Sequence, residues 1–154
     1  MNGKLAEAQK ALARAAYLVH RTYPEVKEPK LFVSIADALA AALVNGIGSV
    51  MDLERRNARV IVDQKDFDTE VTLFRKHCVP KYKIDENAIV VLRKCMTILK
   101  AQKEYPVSFS RQGRWVICSE DYDEKVVLDE KMVKEYLKIA ESFMQNVEGA
   151  VNGA

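Results

Sequence analysis

Histidine, cysteine and glycine are scarce in this chain, and each shortage removes a class of chemistry. The two histidines, His20 and His77, are not paired at helical spacing, and the three cysteines form no Cys-x-x-Cys. The ligand sets that hold zinc are therefore absent, and no metal or other cofactor is expected. The six glycines form neither a phosphate-binding loop nor a dinucleotide fingerprint, and no Gly-x-Ser-x-Gly elbow presents a serine nucleophile. Cys78, Cys95 and Cys118 are odd in number and lie beside apolar residues, which predicts buried free thiols in a reducing compartment. Long apolar runs are missing too. The longest, Ala38 to Val44, is far short of a bilayer span, and Glu7 arrives before any hydrophobic stretch develops near the N-terminus. A cytoplasmic protein that stays out of membranes is therefore expected. Charge of one sign is also in short supply: a net charge of +2 permits a nucleic-acid partner without demanding one.

What the chain has in quantity is apolar residues, 49% against 30% charged, enough for a single domain over residues 1–154 that folds without staples. Leu5, Ala8, Leu12, Ala15 and Val19 recur at steps of three and four and predict a helix from about Lys4 to Thr22. Tyr23-Pro24 is expected to end it, because a proline biases its predecessor away from helical angles. A second helix, from Lys30 to about Arg56, is apolar on nearly every side through Phe32, Ile35, Leu39, Leu43, Ile47, Val50 and Leu53, so it should be buried among others. Ala38, Ala42 and Gly46 form a small-residue ridge on it, a place for another backbone to approach, in the same chain or in a second copy.

Asp66 or Asp68 can cap a shorter helix carrying Phe67, Val71, Phe74 and Cys78, which Pro80 should stop. Asp85 caps a fourth, up to about Glu104, with Ile89, Leu92, Cys95, Met96 and Leu99 inward. Asp129 caps the last, which should bury Met132, Tyr136, Ile139, Ala140, Phe143 and Val147 and fray from Glu148 onward.

Between the last two helices the period changes to two. Val107 and Phe109 alternate with Ser108 and Ser110, and Trp115 to Cys118 follow a polar turn, a hairpin signal in which Gly113 takes positive φ. Lys125 to Leu128 fits a further short strand. The fold expected is all-α, a bundle of about five helices with a small β-hairpin inserted before the C-terminal one.

Three cationic groups are candidates for function. Arg14 and His20 on the first helix could cleave RNA without a metal, the imidazole moving a 2′-hydroxyl proton and the arginine holding the phosphate. On a straight helix, however, they point about 120° apart. Arg55 and Arg56, with Arg59 and Lys65, follow the buried helix; they can bind phosphate or simply face the helix dipole. Arg111, Arg114 and Trp115 crowd the hairpin, where an exposed tryptophan beside arginines can stack a base or anchor a partner, and an inward one would staple the hairpin to the helices. The acidic stretch Glu120, Asp121, Asp123 and Glu124 can pair with those arginines.

Residues Ala6 to Ala16, followed after a polar link by Ser34-Ile35-Ala36-Asp37-Ala38-Leu39-Ala40-Ala41-Ala42-Leu43, resemble the opening of HEPN-type helical bundles. The resemblance covers roughly the first third of the chain and is one of composition. It implies a homodimer and one of two activities: a metal-independent ribonuclease built on an arginine and a histidine four to six residues apart, or an inactive partner of a nucleotidyltransferase. Arg14 and His20, five residues between them, fit that spacing, although the family carries the motif on a later helix. The function expected is a non-catalytic interaction module, a homodimer in contact through Ala38, Ala42 and Gly46 or through the hairpin. The rivals are an RNA-cleaving enzyme using Arg14 and His20, and a nucleic-acid-binding protein using Arg55, Arg56, Arg111 and Arg114.

Overall fold

A computed structural model describes residues 3–57 and 66–153. Five helices form the bundle, and a three-stranded sheet interrupts them before the last. Helix α1 covers residues 3–26, α2 is Leu31–Arg56, α3 covers residues 67–82, α4 is Asn87–Glu104 and α5 is Glu130–Asn152. Strands β1 (Val107–Arg111), β2 (Arg114–Cys118) and β3 (Lys125–Leu128) make one antiparallel meander with β2 in the middle.

Helix α2 is the axis of the molecule, with α1, α4 and α5 packed around it. Phe32, Ile35, Leu39, Leu43, Ile47 and Val50 are all fully covered, which is what an all-round apolar helix requires. Among the described residues α2 alone is long and apolar enough to cross a membrane; here those sides are taken up by its neighbours. The small-residue ridge is used inside the chain. Ala38 and Ala42 have no exposed surface, and a Cβ added at Gly46 would lie 2.6 Å from the Phe143 ring of α5. This corrects the expectation of a dimer contact at Ala38, Ala42 and Gly46, because no surface remains there for a second copy. Phe143 also meets Phe74 edge-on at 6.2 Å between ring centroids, so one aromatic joins α2, α3 and α5.

Both prolines expected to stop a helix sit inside one. In α1 the segment Gly3–Tyr17 opens into a π turn at Leu18–Thr22, where the Tyr23 N–H donates to the Leu18 carbonyl, and then continues as Tyr23–Val26. In α3, Phe67–Leu73 opens into a π turn at Phe74–Cys78, with the Val79 N–H on the Phe74 carbonyl, and continues as Val79–Tyr82. A proline ring clashes with the carbonyl four residues back and brings no N–H; widening the preceding turn accommodates it. Each helix then ends one turn later on a left-handed lysine, Lys27 at φ 48° and Lys83 at φ 54°.

The caps follow the sequence. Asp66 accepts from the Asp68 N–H at 3.0 Å, Asp85 from the Asn87 N–H at 2.9 Å and Asp129 from the Met132 N–H at 2.8 Å. The inward faces shift slightly. Met96 is exposed on α4, while α5 buries Val133, Leu137 and Met144 and leaves Met132, Tyr136 and Ile139 half-covered. Helix α5 also stays regular through Asn152, past the point where fraying was expected.

Candidate binding face

The sheet begins with a two-residue turn. Arg111 pairs with Arg114, and Gln112 and Gly113 between them both take positive φ, 52° and 77°, the twist that suits a tight hairpin. Alternation then sends consecutive residues to opposite faces. Trp115, Ile117 and Leu128 turn toward the helices and are buried, and the Trp115 indole N–H donates to the Gln102 side-chain oxygen of α4 at 2.8 Å. The hairpin is thus fastened to the bundle through its tryptophan. Trp115 as an exposed partner anchor is corrected: being adjacent to Arg114 in a strand places it on the other face from that arginine.

The outer face carries a cross-strand apolar row. Phe109 pairs with Val116 and Val116 with Val127; Phe109 is 37% exposed and Val127 42%. Arg111, Arg114, Lys125 and Tyr122 border this row, and together these residues line a depression of about 650 Å³. Among the described residues no carboxylate lies within ion-pair distance of Arg111, Arg114 or Lys125. Two arginines directly opposite one another across a strand pair repel, a cost that an anion between them would relieve.

The acidic stretch does not supply that anion. Asp121 accepts from the Ser119 hydroxyl at 2.7 Å and from the Asp123 N–H at 3.1 Å; the Ser119 bond first, then the backbone bond, holds its carboxyl below the usual range. Glu124 accepts from the Tyr105 hydroxyl at 2.5 Å, and that bond raises the Tyr105 phenol. Asp121 and Glu124 are thus engaged away from the arginines. The loop also holds Tyr122 at φ 64° and 55% exposed, a left-handed backbone that a bulky residue rarely adopts.

The other cationic candidates are placed elsewhere. Arg55 forms an ion pair with Asp52 one turn back, and Lys4 reaches the same carboxylate at 3.2 Å. Arg56 is exposed, and neither arginine lines the sheet depression. Arg59 and Lys65 lie outside the described residues. Beside Arg55 the buried Glu54 accepts from Lys81 Nζ at 3.2 Å and from the Tyr82 hydroxyl, tying the end of α2 to the turn after Pro80. Below them Cys78 touches Met51 at 3.8 Å between sulfurs, and burial, with Glu54 nearby, pushes its thiol up to about 12.

Arg14 and His20 are not brought together. His20 faces Lys134, Lys138 and Glu141 of α5 across a groove of about 610 Å³ that Arg14 does not line, because the helix carries the two side chains to different sides. No group of three or more His, Cys, Asp or Glu is placed to hold a metal ion among the described residues.

Phe109, Tyr122, Lys125 and Val127 went unnoticed as site residues in the sequence. The signal was present for Phe109: it shares odd-numbered alternation with Arg111, so the two had to emerge on one face. Tyr122 carries no such signal, because its exposure follows from loop geometry. No family model, no curated protein and no solved structure matches the chain.

Proposed function

We propose that this protein is a non-catalytic interaction module whose working surface is the outer face of the three-stranded sheet and whose partner is anionic. The observation that carries the reading is the set Arg111, Arg114 and Lys125 around the exposed row of Phe109 and Val127, without a facing carboxylate among the described residues. A fold that spent its charges only on solubility would gain nothing by setting two arginines opposite each other.

A homodimer through this face is disfavoured on physical grounds. A twofold axis sets a surface against itself, and like charges would then meet like. Ribonuclease action of the HEPN kind needs Arg14 of one copy to meet His20 of another, and no observation favours that meeting. The expected partner is therefore a different molecule.

Charge reversal tests the reading. R111E/R114E should elute from a heparin column at much lower salt than K10E/R21E, which removes the same charge from exposed positions on α1. Equal elution of the two double variants sinks the proposal. Incubation of the wild-type protein with structured RNA in chelator checks the catalytic rival, since cleavage that His20→Ala abolishes would replace the module with an enzyme.

A further inference from the structure

We propose that the outer sheet face binds single-stranded nucleic acid, with Phe109 and Tyr122 stacking on bases and Arg111, Arg114 and Lys125 holding the phosphates between them. This rests on the reading of that face as a binding surface and names its ligand.

The first support is the combination of side chains. Proteins that hold single strands pair a cationic track with exposed aromatic faces, and here two exposed aromatics and three cations line one depression. An acidic peptide would satisfy the cations and leave both rings unused. A duplex would satisfy the cations too, but its bases are stacked inside and cannot reach the rings.

A second support is the extent of the charge. From Asn87 to Cys118 the sequence holds Arg93, Lys94, Lys100, Lys103, Arg111 and Arg114 against a single carboxylate, Glu104, in a chain whose net charge is only +2. Val127 joins the two parts of this stretch in space. It lines the sheet depression and also the apolar groove that Arg93 and Lys94 border on α4. A strand leaving the sheet therefore meets further cations on the helix.

Size is the third. Strands about 4.8 Å apart and four or five residues long at about 3.3 Å each give a platform of about 10 by 13–17 Å, room for the two or three bases that sheet-borne aromatics carry elsewhere. The left-handed backbone at Tyr122 is a fourth, since strain of this kind gathers at binding sites and here it sets an aromatic ring at the rim.

Fluorescence anisotropy with the full chain provides the test. The probes are a labelled uridine dodecamer, its thymidine DNA counterpart, a duplex of the same length and a glutamate-rich peptide. At least one single strand should bind more tightly than the duplex and the peptide, and the two single-stranded arms show whether ribose is preferred. Three phosphate contacts should give a slope of about −2 in log affinity against log salt. R111E/R114E should abolish the binding. Phe109→Ala and Tyr122→Ala, checked for folding by circular dichroism, should each weaken it about tenfold and leave the salt slope unchanged. A duplex bound more tightly than either single strand, or full affinity in both alanine variants, overturns the proposal. Binding of the peptide alone overturns it as well while leaving the anionic-partner reading intact, and no binding of any probe at low salt removes both.

Discussion

At the end of α2, Arg55 and Lys4 converge on Asp52, and Lys81 with Tyr82 closes on the buried Glu54. On the outer sheet face, Arg111, Arg114 and Lys125 border exposed apolar side chains and meet no carboxylate among the described residues. Both places read as basic clusters in the sequence. What separates them is whether an acid faces the cations: Asp52 stands one turn back from Arg55 on the same helix, and packing between distant segments brings Lys4 to Asp52 and Lys81 to Glu54. A closed cluster joins helices; an open one is left to meet something else.

The largest effect that should sharpen this contrast is alkaline unfolding. Cys78 beneath the closed cluster and Cys95 in the core are both raised from an ordinary 9.0 to about 12, chiefly by burial. The folded state keeps these protons where the unfolded state gives them up. Their stabilisation is therefore fully present below about pH 9 and is lost as pH rises toward 12. Urea unfolding should show a loss of about 4–5 kcal/mol between about pH 9 and 11, and Cys78→Ala/Cys95→Ala should flatten most of that slope.

Next in size is Glu54→Ala, which leaves the Tyr82 hydroxyl and Lys81 without this acceptor and should cost about 3 kcal/mol. Arg111→Ala should change stability by less than about 0.5 kcal/mol. Equal costs at the two places would break the comparison. Trp115→Phe removes the bond to Gln102 and should cost about 1 kcal/mol by chemical unfolding, while native tryptophan emission should be blue-shifted and poorly quenched by acrylamide. Smallest is Gln112→Asn, which puts a better left-handed residue before Gly113 and should raise stability by about 0.5 kcal/mol in urea unfolding.

Most of the architecture was legible. The steps of three and four in Leu5 to Val19, the aspartates at 66, 85 and 129, and the two-residue period after Pro106 all name elements found in place. These are local signals, and local geometry answers them. Pro24 and Pro80 misled because the rule for proline assumes a regular α-helix, and a widened turn satisfies the same sterics. The ridge of Ala38, Ala42 and Gly46 correctly announced a close approach but not its partner, since Phe143 lies nearly a hundred residues away in the sequence. At the hairpin the sequence left two orientations open for Trp115, and the structure takes the inward one. Arg114 and Trp115 are neighbours in the chain and stand on opposite faces of the sheet.

The notch at Gly46 carries a consequence for relatives of this chain. The Phe143 ring occupies the volume in which a side chain at position 46 would lie, so the two positions share one fixed allotment of space. A homologue with alanine or serine at 46 should carry a smaller residue at 143, and a set of homologues in which the two vary independently would mean that α5 crosses α2 at a different point.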